Sequence, residues 1–332
     1  FLARPDRWVS WKWGGVLAGL RLIRKHRPAA IWSTYPIATA HLLAAELHRR
    51  SGLPWIADFR DPMAQDGYPA DPRIWQSFKD IEEEAIRNAA RCIFVTRSAA
   101  RMYQKRYADI DPARVILIEN GYDEESFAAA ETSARRHRPL RPGSITLVHS
   151  GVVYPSERDP THFFAALQSL KQQGLGKGGD LKVRFRAAVH EQFLNGLAVS
   201  YGVEDIVEVA PVLRYQEALE EMLRADGLIV MQSSNCNEQI PAKVYEYFRA
   251  GRPVLGLTDP SGDTADLLKR AGVRTIARLE SATEIEDALM RFLAHIRAGT
   301  SERPDPARVA SASRRSRSRE LASVLDQVVG DR

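Results

Sequence analysis

Two cysteines, Cys92 and Cys236, are all that the 332 residues carry. So few cannot build a disulfide framework, and a reducing compartment is the expectation. Long apolar runs are missing as well, and none approaches the roughly 18–20 residues that cross a bilayer as a helix. The opening "FLARPDRWVSW" lacks an initiating methionine and the continuous apolar core of a secretion signal, so a fragment or a processed chain is expected. A strong excess of one charge is also absent. Lys and Arg number 47 against 42 Asp and Glu, a net +5, which is small for a dedicated nucleic-acid binder but suits an anionic substrate or a membrane surface. No short-period repeat occurs, and low complexity is confined to "SASRRSRSR" (311–319), either a solvated face or a contact for lipid phosphates or a partner.

What is present is alternation. Short apolar runs at 29–34, 54–59, 91–96 and 115–120 predict strands, with helical patterns at 37–50 and 74–89 and from Ser98 to Tyr107. A polar, basic, proline-bearing stretch at 131–143 reads as a linker. The alternation then restarts, with strands at 144–151, 181–189, 206–212, 227–232 and 253–258 and a short one at "VRTIA", separated by helical segments; from Ser281 onward the pattern is helical. The expectation is an α/β fold of two Rossmann-like domains with parallel sheets facing across a cleft. Its first domain spans 1–135 and its second 144–310, and a C-terminal helix over 311–332 packs back on the first.

In open α/β sheets ligands bind beyond the carboxyl ends of the strands, so the loops there carry the chemistry. After the 144–151 strand, Gly151 permits close backbone approach and Arg158 offers a planar fork for phosphate. After the 227–232 strand comes "SSNCNEQIPAK", with Pro241 at an early helix position. Lys243 and Glu246, three apart, share one face of that helix; they suit a diphosphate and sugar hydroxyls, or form a surface pair worth a few tenths of a kcal/mol. Glu238, eight positions before Glu246, can reach the same ligand from the preceding loop. His149 reads as a packed histidine, and Cys236, with no basic neighbour, as a small lining residue and not a nucleophile. The "SGDTADLL" turn is expected either to cap a helix through Asp263 or Thr264 or to lie near the donor. Trp8, Trp11 and Trp13 with Arg4, Arg7 and Lys12 make a basic-aromatic start that suits a membrane surface or simple packing.

"NEQIPAKVYEYFRAGRPVLGL" (237–257) resembles the signature of retaining GT-B glycosyltransferases of the family-4-like group, exopolysaccharide and lipopolysaccharide branch: two glutamates separated by seven residues, then a Gly-basic-Pro-Val run. "STYPIATAHLLA", "WIADFRDPM", "ENGYDEESF" and "HSGVVYPSERDP" fall in the same order as in that branch, so the resemblance covers about Pro28 to Gly272. It implies a metal-independent enzyme moving a sugar from a nucleoside diphosphate sugar to a hydroxyl of a glycan or lipid-linked glycan. The work would be done in the cytoplasm, at the inner membrane face, with no cofactor and no nucleic acid. It implies Glu238, Arg158 and Lys243 as catalytic, and Gly151, Arg158, Lys243, Glu246, Asn237 and Val244 as donor-binding. No Asp-x-Asp of the kind used by the other major sugar-transferase fold is recognised, so no metal is expected. The chain departs from the pattern in three places. "RDPTHF" has no lysine soon after Arg158. Arg60-Asp61 stands where relatives carry histidine, either touching donor sugar or acceptor or forming a structural pair at a turn. The first strand and its glycine loop are expected to precede the chain's start, which would leave donor binding without activity. Two other readings stand beside this one: an epimerase or hydrolase of the same fold, and a non-enzymatic basic module for membrane or nucleic acid.

Overall fold

The computed structural model describes residues 4–132 and 138–330. The stretch read as a linker includes 133–137, which lie outside the described residues. The chain forms two compact units. One holds the described residues up to Glu119 and from Arg317 onward, and the other runs from Asn120 to Ser316.

The first unit contains α1 (Trp11–His26), β1 (Ile31–Tyr35), α2 (Ala38–Ser51), β2 (Trp55–Phe59), α3 (Pro72–Asn88), β3 (Arg91–Phe94), α4 (Arg97–Arg106) and β4 (Val115–Leu117). Its four strands pair in parallel in the order β1-β2-β3-β4. β2 is buried along its whole length, as a central parallel strand must be. Helix starts follow local chemistry: Asp71 accepts from the N–H groups of Arg73 and Ile74 at 2.7 and 3.2 Å, and Pro72 supplies a preset φ at the first helical position. α2 has no side-chain cap of its own, and Asp6 serves instead, accepting from Thr39 N–H at 2.9 Å and Thr39 Oγ1 at 2.7 Å.

The sequence reading gave no bounds for a helix at α1. Two glycines beside the buried Val16 bring it close to α2: a Cβ on Gly15 would meet Leu43 at 2.2 Å, and one on Gly19 would meet Leu47 at 2.8 Å. α1 therefore packs backbone-close on α2 while Trp11, Trp13, Leu17 and Leu22 stay exposed, a departure from an ordinary amphipathic pattern. β4 ends at Leu117, three residues before the predicted strand does.

The second unit contains α5 (Glu124–Glu131), β5 (Ile145–Ser150), α6 (Thr161–Gln172), β6 (Leu181–Arg186), α7 (Glu191–Tyr201), β7 (Val207–Ala210), α8 (Tyr215–Arg224), β8 (Gly227–Gln232), α9 (Lys243–Ala250), β9 (Val254–Thr258), α10 (Asp263–Arg270), β10 (Ile276–Ala277), α11 (Ala282–Ala298) and α12 (Pro306–Ser311). α13 (Arg314–Gly330) starts here and continues into the first unit, where Leu321, Leu325 and Val328 pack with Ile56 and Ile93. α5 is held to α9 by Arg249, which bridges Glu124 at 2.6 Å and Glu131 at 3.0 Å. The sheet order is β10-β9-β8-β5-β6-β7, parallel throughout. From β5, β6 and β7 run one way and β8, β9 and β10 the other, so the chain reverses between β5 and β8 and leaves a crevice past their carboxyl ends. α10 is capped by neither Asp263 nor Thr264. Gly262 is the N-cap residue and Asp263 already lies inside the helix, because its N–H is taken by the Asn237 carbonyl at 2.9 Å.

Candidate active site

The reversal between β5 and β8 places the loops after these two strands side by side. They are bonded directly: Ser233 N–H donates to Glu157 O at 2.8 Å and Asn235 Nδ2 to Ser156 O at 2.9 Å. Within the β8 loop, Gln232 Nε2 donates to the carbonyls of Cys236 and Gln239 at 2.7 and 3.2 Å. Asn237 Nδ2 donates to Asp259 Oδ2 at 2.7 Å, which ties this loop to the turn after β9.

Lys243, the first residue of α9, lies under this junction. Its Nζ stands 3.1 Å from His149 Nε2, and a Cβ added to Gly151 would meet that same Nζ at 3.0 Å. Gly151 has φ +107°, a region that L side chains rarely enter, and its bare Cα leaves the ammonium its place. Burial, followed by the nearby Arg158 guanidinium, lowers the Lys243 ammonium to about 7, against a smaller upward pull from Glu246. Arg158 stacks over Tyr154 at 5.4 Å from the ring centroid. Its Nη1 donates to Val152 O at 3.4 Å, and its buried Nε has no hydrogen-bond partner. One turn along α9, Glu246 Oε1 accepts from Tyr215 Oη at 2.8 Å. Burial raises the Glu246 carboxyl, and the Tyr215 bond, Arg314 and Lys243 oppose that rise.

The structure thus brings Gly151, Arg158, Lys243 and Glu246 to one end of one sheet. Glu238 lies in the loop between Cys236 and α9, as its spacing suggested. Asn237 has its amide nitrogen committed to Asp259. Val244 is fully buried in the core between β8 and α9, so its side chain faces away from solvent. Arg60 and Asp61 follow β2 in the first unit. The turn after them is fixed from below, where Met63 N–H donates to Tyr103 Oη at 2.9 Å and Ala64 N–H to Glu82 Oε2 at 3.2 Å. Three features escaped the sequence reading: the His149–Lys243 contact, the Tyr215–Glu246 bond, and Tyr247 Oη, which accepts from Ser150 N–H at 2.8 Å. The position of Tyr215, just past β7, was the one available signal. An Asp-x-Asp spacing does occur, at Asp109 and Asp111, but Arg87 bonds Asp109 at 2.7 Å and Ala113 N–H bonds Asp111 at 2.9 Å. Among the described residues no group of three or more His, Cys, Asp or Glu could hold a metal ion.

The geometry gives a first prediction. Gly151→Ala should strain the backbone by roughly 1–3 kcal/mol and press a methyl group into the Lys243 ammonium. Nucleotide affinity should fall on the order of tenfold, read by calorimetric titration beside a thermal unfolding control. An unchanged affinity in a folded variant would show that Lys243 does not depend on the bare glycine.

Two Rossmann-like units with parallel sheets define the GT-B fold of glycosyltransferases, and solved structures agree. Sucrose-phosphate synthase from Thermosynechococcus elongatus superposes with a TM-score of 0.73 at 14% identity, over 98% of this chain and 80% of that one. A glycosyltransferase from Rickettsia africae gives 0.70 at 10% identity, over 95% and 81%. HepE of Anabaena in complex with UDP gives 0.64 at 12% identity, over 95% and 80%. At such identities the likeness is one of fold. Residues 2–126 match the family described as Glycosyltransferase Family 4. No curated protein matches the chain.

Proposed function

We propose that the protein is a retaining glycosyltransferase that moves a sugar from a nucleoside diphosphate sugar to a hydroxyl of a glycan or lipid-linked glycan, in surface polysaccharide synthesis. The observation that carries this is the convergence of Lys243, Arg158 and Glu246 beside a bare glycine at the strand reversal. A family-4 match ahead of it and fold neighbours crystallised with UDP or UDP-glucose support the reading. Lys243 and Arg158 hold the diphosphate and stabilise the negative charge that builds on it as the sugar departs. Tyr215 occupies one oxygen of Glu246 and leaves the other for ribose hydroxyls. Glu238 stands by the donor sugar, Asn237 keeps its loop in place, and Val244 supplies backbone and core. Arg60 and Asp61 contact donor sugar or acceptor. The two cationic side chains carry the charge a metal would carry, so activity should survive EDTA.

The test is calorimetric titration with UDP, GDP, ADP and dTDP, followed by incubation with the sugar nucleotide of the base that binds. Transfer that needs an added acceptor, with the anomeric configuration kept by NMR, is the expected result. Sugar release or epimerisation without acceptor would move the protein to the hydrolase or epimerase reading, and binding of none of the four would remove the donor site.

α1 gives this activity a place to work. Along it Trp11 (48%), Trp13 (76%), Leu17 (57%) and Leu22 (56%) are exposed among Arg21, Arg24 and Lys25. Tryptophans beside cations suit the interfacial region of an anionic membrane. No helix among the described residues is long and apolar enough to cross a membrane. We read the protein as cytoplasmic, resting on the inner face beside a lipid-linked acceptor. It should co-sediment with phosphatidylserine-containing vesicles and not with phosphatidylcholine alone. A Trp13→Ala, Leu17→Ala double variant should lose most of that binding, and equal sedimentation of variant and wild type would rule α1 out.

A further inference from the structure

We propose that His149 is a positioning residue for the donor diphosphate: its Nε2 accepts one proton of the Lys243 ammonium and holds that ammonium over Gly151. The inference rests on the donor-site reading above, and it assigns work to a residue that looks like packing. His149 ends β5, is fully buried, and lies 6.0 Å from the Phe185 ring centroid. Its Nδ1 is 3.0 Å from Ile229 O. Two backbone carbonyls compete for the single hydrogen of the neutral ring, Ile229 at Nδ1 and Gly151; the proposal puts it on Nδ1, which leaves Nε2 a lone pair. An ammonium only donates, and Lys243 Nζ stands 3.1 Å from that lone pair. Burial and the Lys243 charge keep the ring neutral, far below its usual titration range.

The consequence is geometric. A lysine has four rotatable carbons, and a phosphate gains most from an ammonium already in place. Two anchors fix this one: the helix that starts at Lys243 sets its Cα, and the imidazole sets its Nζ. One proton goes to His149, and two remain for diphosphate oxygens. The Ile229 carbonyl in turn fixes the ring, so the chain from β8 through β5 to α9 aims the charge. The charged or titratable groups facing Lys243 are His149, Arg158 and Glu246, and of these only His149 lies within hydrogen-bond distance.

Two measurements test this, and they separate it from the donor reading. The first needs no nucleotide. In ¹⁵N NMR of the ligand-free chain, His149 should be the neutral tautomer with hydrogen on Nδ1. The opposite tautomer, with Nε2–H turned to the Gly151 carbonyl, overturns the proposal whatever the protein binds. The second compares wild type, His149→Phe and His149→Gln for affinity toward whichever of UDP, GDP, ADP or dTDP binds, between pH 6 and 9. Phenylalanine keeps the ring and its packing but has no acceptor. Its affinity should fall roughly tenfold or more, as for a lost hydrogen bond to a charged group. The pH above which affinity declines should also move down, since an ammonium without its acceptor gives up its proton more readily. Glutamine can present an oxygen near the Nε2 position and should restore part of both effects. If Lys243→Met weakens binding while His149→Phe matches the wild type in affinity and pH profile, the donor reading stands and the positioning role falls. If His149→Phe binds weakly with an unmoved pH profile and no rescue by glutamine, His149 is packing alone.

Discussion

Replacing Lys243 with methionine should cut sugar transfer by roughly 10²–10³-fold, the loss expected when a preorganised charge is removed from a developing anion. Nucleoside diphosphate affinity should fall as well, because the proposed role sets the same ammonium against the diphosphate. Methionine keeps the length and loses the charge, so the change isolates electrostatics from packing. Stability should move the other way. The folded protein holds Lys243 at about 7, far below the 10.5 of a free lysine. Below pH 7 both states carry the proton, and the folded state bears the full cost of the buried charge. Between about 7 and 10.5 the unfolded chain binds more protons than the folded one, so stability rises with pH across that window. At pH 7 the methionine variant should therefore be the more stable, by on the order of 1–2 kcal/mol. A residue that weakens the resting fold and strengthens the reaction belongs to a site. A variant with wild-type turnover, or one less stable than wild type, would show that Lys243 serves the fold instead.

Glu82→Ala should unfold the first unit more readily than any surface change, at a cost of about 3–5 kcal/mol, as for a broken buried ion pair. Glu82 is completely buried. It accepts from Tyr103 Oη at 2.7 Å, Tyr107 Oη at 2.8 Å, Arg106 Nη1 at 2.6 Å and Ala64 N–H at 3.2 Å. Alanine would leave a guanidinium, an ammonium, two phenols and an amide short of their acceptor. Since Tyr103 and Glu82 also hold the turn just after Arg60 and Asp61, that turn should loosen. Thermal unfolding followed by tryptophan fluorescence should show a transition roughly 10 °C lower. Glu82→Gln keeps part of the bonding and should lie between. A shift under about 2 °C for the alanine variant would mean that the network contributes no net stability.

Much of this was legible from sequence, and the legible part has one character. The strands β8 and β9 announce themselves as unbroken apolar runs because both their faces are buried in a parallel sheet. Glu238, Lys243 and Glu246 stand in one short segment, and their spacing is covalent. The bounds of α1 were not legible, since Gly15 and Gly19 form part of the contact with α2 and an apolar period is what a reader looks for. Nor was the cap of α10, which the Asn237 carbonyl decides from 26 residues away in sequence.

Composition and period alone determined an α/β chain of two halves, and the order of residues along the segment from Asn237 to Leu257 determined which loop carries the candidate chemistry. Only the tertiary structure decided that the β5 loop and the β8 loop would be neighbours, because strand order in a sheet is a choice among packings. Only it decided that a histidine 94 positions away would meet Lys243. A buried charge takes its properties from what surrounds it in space. That surrounding is assembled from β5, the loop that follows it and α9, so no single stretch of the sequence contains it.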